Sequence, residues 1–230
     1  KNSAFPACLE GRAREGGRMA GGVNCGRPER PAVEVVVGTG ELAAEAAFVE
    51  QLAALVNAAY ATSVEDLTRS HASDHQRIGI DEVRRRLQQG SAEAANRVLH
   101  VAVLEGRPVG CISSTLQPPW TPSGCGHWGL LAVDAGVQGQ GVASQLVQAA
   151  EQRLAEAGCT NVQIEYQYTA GHVYSQRLCD WYEGRLGFAS QTGWLINRFL
   201  GMLVGRGGAE FRRCRRKLAA RPGAVRPPPA

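Results

Sequence analysis

The chain has 230 residues, 44% of them apolar, and a formal net charge of +4; that is enough for one domain with a real core, and too mildly basic to imply nucleic-acid binding. Its 7 cysteines stand singly with no Cys-x-x-Cys pair, which argues against a zinc knuckle or a thioredoxin-type site and for small buried hydrophobes in a reducing compartment. No stretch approaches the roughly 20 apolar residues needed to span a bilayer, so no membrane partner is expected.

Residues 1–31 are rich in Gly, Arg and Pro without periodicity and read as a disordered lead. They begin at Lys1 rather than Met, with Met19 a candidate initiator, so no targeting segment is read and the cytoplasm is the default compartment. Val33–Val37 is a β-branched first strand. Leu42–Tyr60 sets Phe48, Leu52, Leu55, Val56 and Ala59 on one stripe, an amphipathic helix. Ser63 and Asp66 have the spacing of a capping box that opens a second short helix. Asp81–Gln89 is a helix stopped by Gly90, expected to be a left-handed cap.

The pattern then turns to β. Val98–Leu104 and Val109–Leu116 form a hairpin around Glu105-Gly106-Arg107, and Trp128–Val133 is the next strand. Val142–Ala157 has the clearest helical spacing. Asn161–Tyr168 is a strand, Val173–Leu186 a helix with Tyr174, Leu178, Trp181 and Tyr182 along one side, and Phe211–Leu218 a final strand. The basic run Arg212–Lys217 reads as charge guarding a sheet edge. The apolar run Leu195–Val204 reads as an insertion near the acceptor side, and the residues from Ala219 to Ala230 as a disordered tail. This order predicts an α/β (α+β) fold, a mixed central sheet flanked by helices on both faces, in one domain over 32–218.

The chemically informative segment is Gly129–Ser144, GLLAVDAGVQGQGVAS: strand, loop, glycine-rich turn, helix. Gly139 and Gly141 remove Cβ atoms and permit positive φ, so that successive N–H groups beside a helix N-terminus can hold a phosphate or pyrophosphate without a lysine. A Walker loop would need Gly-Lys-Ser/Thr, which is absent. A dinucleotide fingerprint would need a third Gly or Ala where Ser144 stands and its first glycine directly after the strand, where Asp134–Gln138 intervenes.

Gln138, Gly141 and Ala143 fill the specified places of Gln/Arg-x-x-Gly-x-Gly/Ala, so that Gln138, Gly139, Gln140, Gly141, Val142 and Ala143 resemble the pyrophosphate loop of the GNAT acetyltransferase superfamily. Leu131, Ala132 and Val133 look like that family's strand whose amides bind the pantetheine arm. Asp180-Trp181-Tyr182-Glu183-Gly184-Arg185-Leu186-Gly187-Phe188 looks like its closing signature, and Val56–Tyr60 like the first helix of a branch of mostly unassigned substrate. The resemblance covers roughly residues 32 to 218. It implies acetyl-CoA as cosubstrate, no metal, and direct transfer to the amine of a small molecule or peptide; a non-catalytic acyl-CoA-binding module of the same fold is the alternative, and a homodimer is left open. Where the family commonly has an Asn on the cofactor arm, Ser175 stands here.

Acyl transfer needs a neutral amine, a stabilised oxyanion and a tolerated thiolate. By the resemblance, amides near Leu131–Val133 hold the thioester carbonyl and Tyr182 is the general acid; the other reading of Tyr182 is a core aromatic. For the base there are two candidates. His127 shares the side-chain parity of Leu131 and Val133 if the strand is regular, and reads equally as an ordinary surface histidine at the strand end. Glu165 is flanked by Ile164 and Tyr166, so that an apolar sheet would raise its pKa, although an ion pair or a solvated face is the plainer expectation. The acceptor pocket is expected from Ala61–Ile80 and Gln117–Gly126, including Trp120 among Pro118, Pro119 and Pro122. His71, Asp74 and His75 read as a solvated loop rather than a metal site.

Overall fold

The alternating strands assemble into one sheet in the computed structural model, which describes residues 32–67, 76–191 and 209–219. Seven strands are present among the described residues: β1 (Glu34–Val37), β2 (Arg97–Leu104), β3 (Arg107–Thr115), β4 (Cys125–Val133), β5 (Asn161–Thr169), β6 (Ala189–Ser190) and β7 (Ala209–Lys217). They lie in the order β1-β2-β3-β4-β5-β7-β6, and every neighbouring pair is antiparallel except β4 and β5, which run parallel. The expected mixed sheet is therefore found. β2 turns into β3 through Glu105 and Gly106 at φ 51° and 77°, a two-residue turn whose paired positive φ angles match the twist of a hairpin.

Helices cover both faces. On one, α1 (Gly40–Ala44), α2 (Ala46–Leu67) and α3 (Ile80–Gln89) pack Val49, Leu52, Val56, Val83 and Leu87 on Leu99, Val101 and Cys111. On the other, α4 (Val142–Glu156) packs Leu146, Val147, Ala150 and Leu154 on Ile112, Trp128, Val162 and Ile164. Close approach of α4 depends on glycine in the strands: a Cβ on Gly126 would stand 2.7 Å from Leu154 Cδ2. α5 (Val173–Cys179) continues into a π-helical turn, Asp180–Arg185, instead of one regular helix to Leu186. Among the described residues no helix is long and apolar enough to cross a membrane.

Several local expectations are overturned. The stripe from Leu42 is divided at Glu45, whose φ of −79° and ψ of 95° are extended, and α1 is capped by the Thr39 side chain accepting from the Leu42 amide. The backbone then stays helical through Ser63 and Asp66, so no second helix is capped there. Gly90 is right-handed, at φ −71° and ψ −15°; glycine is required because a Cβ would lie 2.0 Å from the Gly38 carbonyl oxygen. β7 is not the sheet edge around Cys214 and Arg215, since β6 pairs there. Its arginines bond inward, Arg213 and Arg215 to Glu165 and Gln163 of β5 and Arg216 to Glu151 of α4, rather than guarding an edge. His71, Asp74, His75, the run Leu195–Val204, the lead and residues 220–230 lie outside the described residues.

Candidate active site

β4 is interrupted at Leu130. Ser113 of β3 faces Gly129, and Cys111 faces Ala132, so β4 carries one extra residue, and Leu130 takes φ 53°. A leucine in the left-handed region is strained, and such strain persists where the surroundings fix it. The bulge reverses the alternation of the strand. Leu131 and Val133 pack with Trp128 toward α4, whereas Leu130 and Ala132 pack toward α2. His127 therefore does not share a face with Leu131 and Val133, against the expectation from a regular strand.

The parallel pairing of β4 with β5 is short, running from Cys125↔Asn161 to His127↔Gln163. Beyond it the strands have no register partners in each other, and neither Leu130 nor Leu131 has one in β3. The sheet thus opens beside the bulge, with polar backbone on both sides of the gap.

The glycine-rich loop leads from this opening to α4. Asp134 accepts from the Gly136 amide at 2.8 Å, and Gln138 Nε2 donates to the Val133 carbonyl at 3.2 Å, which ties the loop to the strand end. Gly139 and Gly141 have φ 79° and 87°, and Gln138, Gly139, Gln140 and Gly141 are all exposed. Gly141 caps α4 with no side-chain hydrogen bond, and a Cβ there would meet nothing within 4 Å. The first-turn amides of a four-turn helix thus face open space at its positive end, an anion-binding arrangement. Val142 is buried and anchors this turn against Gly110, and Ala143 is half-buried beside it.

Two further residues come from the helical segment after β5. Ser175 is fully buried in the first turn of α5, and its hydroxyl has no hydrogen-bond partner among the described residues, an orphan in need of one. Tyr182, in the π-helical turn, packs against Trp128, Tyr166 and Trp181 with ring centroids 5.9, 5.0 and 5.1 Å away. Its pKa is driven well above that of an ordinary phenol, first by burial and then by the neighbouring phenols Tyr60 and Tyr174, so it keeps its proton. The Phe188 amide donates to the Tyr182 carbonyl at 3.0 Å, which closes the turn, and the nearby Tyr166 hydroxyl donates to Glu183. Leu131, Val133 and Tyr182 border the same apolar cluster, on the α4 side of the sheet.

His127 and Glu165 meet on the opposite face. His127 Nε2 is 3.5 Å from Glu165 Oε2, and both side chains are about 15% exposed. Burial by itself would raise the Glu165 pKa, but contacts from His127, Gln163 Nε2 at 2.6 Å and Arg213 Nε at 3.3 Å hold it below the usual carboxylate range. Glu165 is thus found in an ion pair, the plainer of its two expected settings, and the raised pKa of the other is not seen, because its face of β5 is polar. Trp120 stands edge-on to the imidazole, centroid to centroid 5.6 Å.

His127 also lines an open pocket of about 220 Å³ together with Arg77, Arg86, Arg97, Ser113 and Thr115. Of the two segments expected to build an acceptor pocket, one supplies Arg77 and the other only Trp120 beside it; most of the lining comes from α3 and the strands. Register explains this, since Arg97 faces Thr115 and Thr115 faces His127 across β2, β3 and β4. The one signal in the sequence was an arginine and a threonine at the ends of apolar strands.

A family model described as acetyltransferase (GNAT) family matches residues 62–188. Among solved structures, an aminoglycoside 6'-acetyltransferase type Ii is similar at 17% identity over 82% of this chain and 99% of its own, with a TM-score of 0.55. An N-acetyltransferase from Staphylococcus aureus Mu50 has the same score at 18% identity, covering 82% of this chain and 99% of its own. A chain of the NatC complex bound to Gag peptide and CoA reaches 0.50 at 20% identity, over 81% of this chain and 99% of its own. Compared by sequence with curated proteins, the chain has no match.

Proposed function

We propose, for a chain that belongs to the acetyltransferase (GNAT) family, that residues 32–218 form an acyltransferase domain that moves an acetyl group directly from the CoA thioester to the amine of a small molecule or a peptide. The observation that carries this reading is the uncapped, exposed N-terminus of α4 behind Gly139 and Gly141, set beside the opening between β4 and β5. The residues present fit acetyl-CoA: Gln138–Ala143 would cradle its pyrophosphate, Leu131–Val133 would offer strand amides to its pantetheine arm, and the orphan Ser175 hydroxyl would gain a partner.

The two faces of the opening divide the work. His127, held by Glu165, takes the proton of the attacking amine, directly or through water. Amides at the Leu130–Leu131 bulge polarise the carbonyl oxygen. Tyr182, kept protonated, gives a proton to the departing sulfur as the carbon–sulfur bond breaks and the carbon–nitrogen bond forms.

The reading is tested by calorimetric titration of acetyl-CoA into the wild type and into the double variant Gly139→Val, Gly141→Val, followed by release of CoA on addition of an amine mixture. Binding by the wild type alone, with CoA release, is the expected result. Binding without release would favour an acyl-CoA-binding module, and absence of wild-type binding would sink the proposal.

A further inference from the structure

Arginine side chains converge on His127 from separate elements. Arg97 comes from the start of β2, Arg86 from α3, and Arg77 from the segment that precedes α3. Each is positioned. Arg97 Nε donates to Thr115 Oγ1 at 3.1 Å, in the cross-strand row that ends at His127. Arg86 Nε donates to Glu82 Oε1 at 2.6 Å. Arg77 lies over the Tyr60 ring at 4.8 Å, and the next residue, Ile78, is clamped through its amide and carbonyl by the Asn57 side chain at 3.0 Å each.

Among the described residues their charge is not balanced within the pocket. Glu82 is shared between Arg85 and Arg86, and among the described residues neither Arg77 nor Arg97 makes an ion pair with a carboxylate. Glu165, which pairs with the pocket residue His127, is also engaged by Arg213. Arg97 bears the consequence: burial first, then repulsion from Arg86, lowers its pKa, with Glu82 in partial opposition. Guanidinium groups gathered around a cavity without counter-charge repel one another, and an oxyanion placed between them relieves that repulsion through paired N–H donors.

Resting on the acetyltransferase reading, we infer that the acceptor amine carries an oxyanion, a carboxylate or a phosphate, and that Arg97 with Arg77 and Arg86 binds it while His127 faces the amine. The pocket selects against acceptors that carry a second ammonium group, and its selectivity is expressed mainly in KM, since the arginines touch the part of the acceptor that does not react.

The test compares aminoalkyl acceptors of matched length that end in carboxylate, phosphate, carboxamide or ammonium. The expected result is a kcat/KM at least about tenfold higher for an anionic acceptor than for the carboxamide, the scale of one charge-assisted contact. The better of carboxylate and phosphate identifies the anion. In Arg97→Gln that ratio falls toward one, and Arg97→Lys, which keeps the charge and loses the fork, recovers part of it. Arg77→Gln, at an exposed position, gives the same loss without burdening the fold. Equal or better use of the carboxamide or ammonium acceptor overturns the inference. If acetyl-CoA does not bind, the acetyltransferase reading fails and the pocket is judged separately by titration with inorganic phosphate and with acetate. Binding weakened by Arg97→Gln upholds the anion site, and no wild-type binding of either anion overturns it.

Discussion

His127 Nε2 lies 3.5 Å from Glu165 Oε2 although the parallel pairing of their two strands ends at His127↔Gln163, two residues before Glu165. The carboxylate fixes the imidazole at the mouth of the opening, on the face where the arginine-lined pocket lies. Replacing His127 by Gln is expected to lower kcat about 10²- to 10⁴-fold, the usual worth of a positioned base. Glu165→Gln should cost less, since it removes the orienting charge and leaves the imidazole. Neither change should alter acetyl-CoA affinity, because both residues lie on the face away from α4 and Tyr182. Rates of CoA release as a function of pH check this, and full activity in the His127 variant would move the base elsewhere.

Tyr182 is held protonated among aromatic rings. A thiol leaving group with a pKa near ~8.5 departs with little help at neutral pH, so Tyr182→Phe is expected to reduce kcat by no more than about tenfold. Its acetyl-CoA affinity should stay close to that of the wild type, since the ring still packs on Trp128. A large rise in KM for acetyl-CoA with unchanged kcat would instead assign the hydroxyl to binding.

The strongly periodic elements were legible in the sequence. α4 was expected over Val142–Ala157 and is found at Val142–Glu156, and β5 at Asn161–Thr169 against Asn161–Tyr168. The division of the first helix at Glu45 was not, because Leu-Ala-Ala-Glu-Ala-Ala favours helix throughout and only docking on the sheet selects the break. The bulge at Leu130 was invisible for a related reason: pairing with β3, and no local preference of leucine, forces its positive φ. That one residue reversed the face assigned to His127. The arginine pocket was hidden because Arg97, Thr115 and His127 are brought together by strand register alone. The phosphate-type loop was readable since its conformation is written in Gly139 and Gly141 themselves.

Gly126 sets how closely α4 approaches the sheet. A Cβ there would lie 2.7 and 3.0 Å from the two Leu154 methyl carbons, and Leu154 is fully buried. Gly126→Ala is therefore expected to destabilise the fold by about 1–3 kcal/mol, the scale of overpacking. Leu154→Val in the same chain should return part of that loss, giving a favourable coupling in a double-mutant cycle by urea unfolding. Strict additivity of the two changes would show that α4 shifts as a body instead.

His100 gives the fold an acid sensitivity of its own. It is buried on the α4 side of β2, with Nε2 2.9 Å from Ser114 Oγ, and Arg153 Nη1 reaches the same hydroxyl at 3.1 Å. Burial first, and then the Arg153 charge, lowers its pKa from 6.5 to about 4. The unfolded chain thus takes up the proton before the folded one does, and stability falls as pH drops from about 6.5 to about 4 by on the order of 2–3 kcal/mol. Glu165 acts in a lower window: its pKa is depressed in the fold, so its contribution is intact above about 4.3 and is lost only below it. Thermal unfolding between pH 7.5 and 4 should show the wild-type Tm declining through the upper window. His100→Gln, less stable at neutral pH, should decline less over that range. A wild-type Tm that stays level from pH 6.5 to 4, or a slope unchanged by the substitution, would remove His100 as the source.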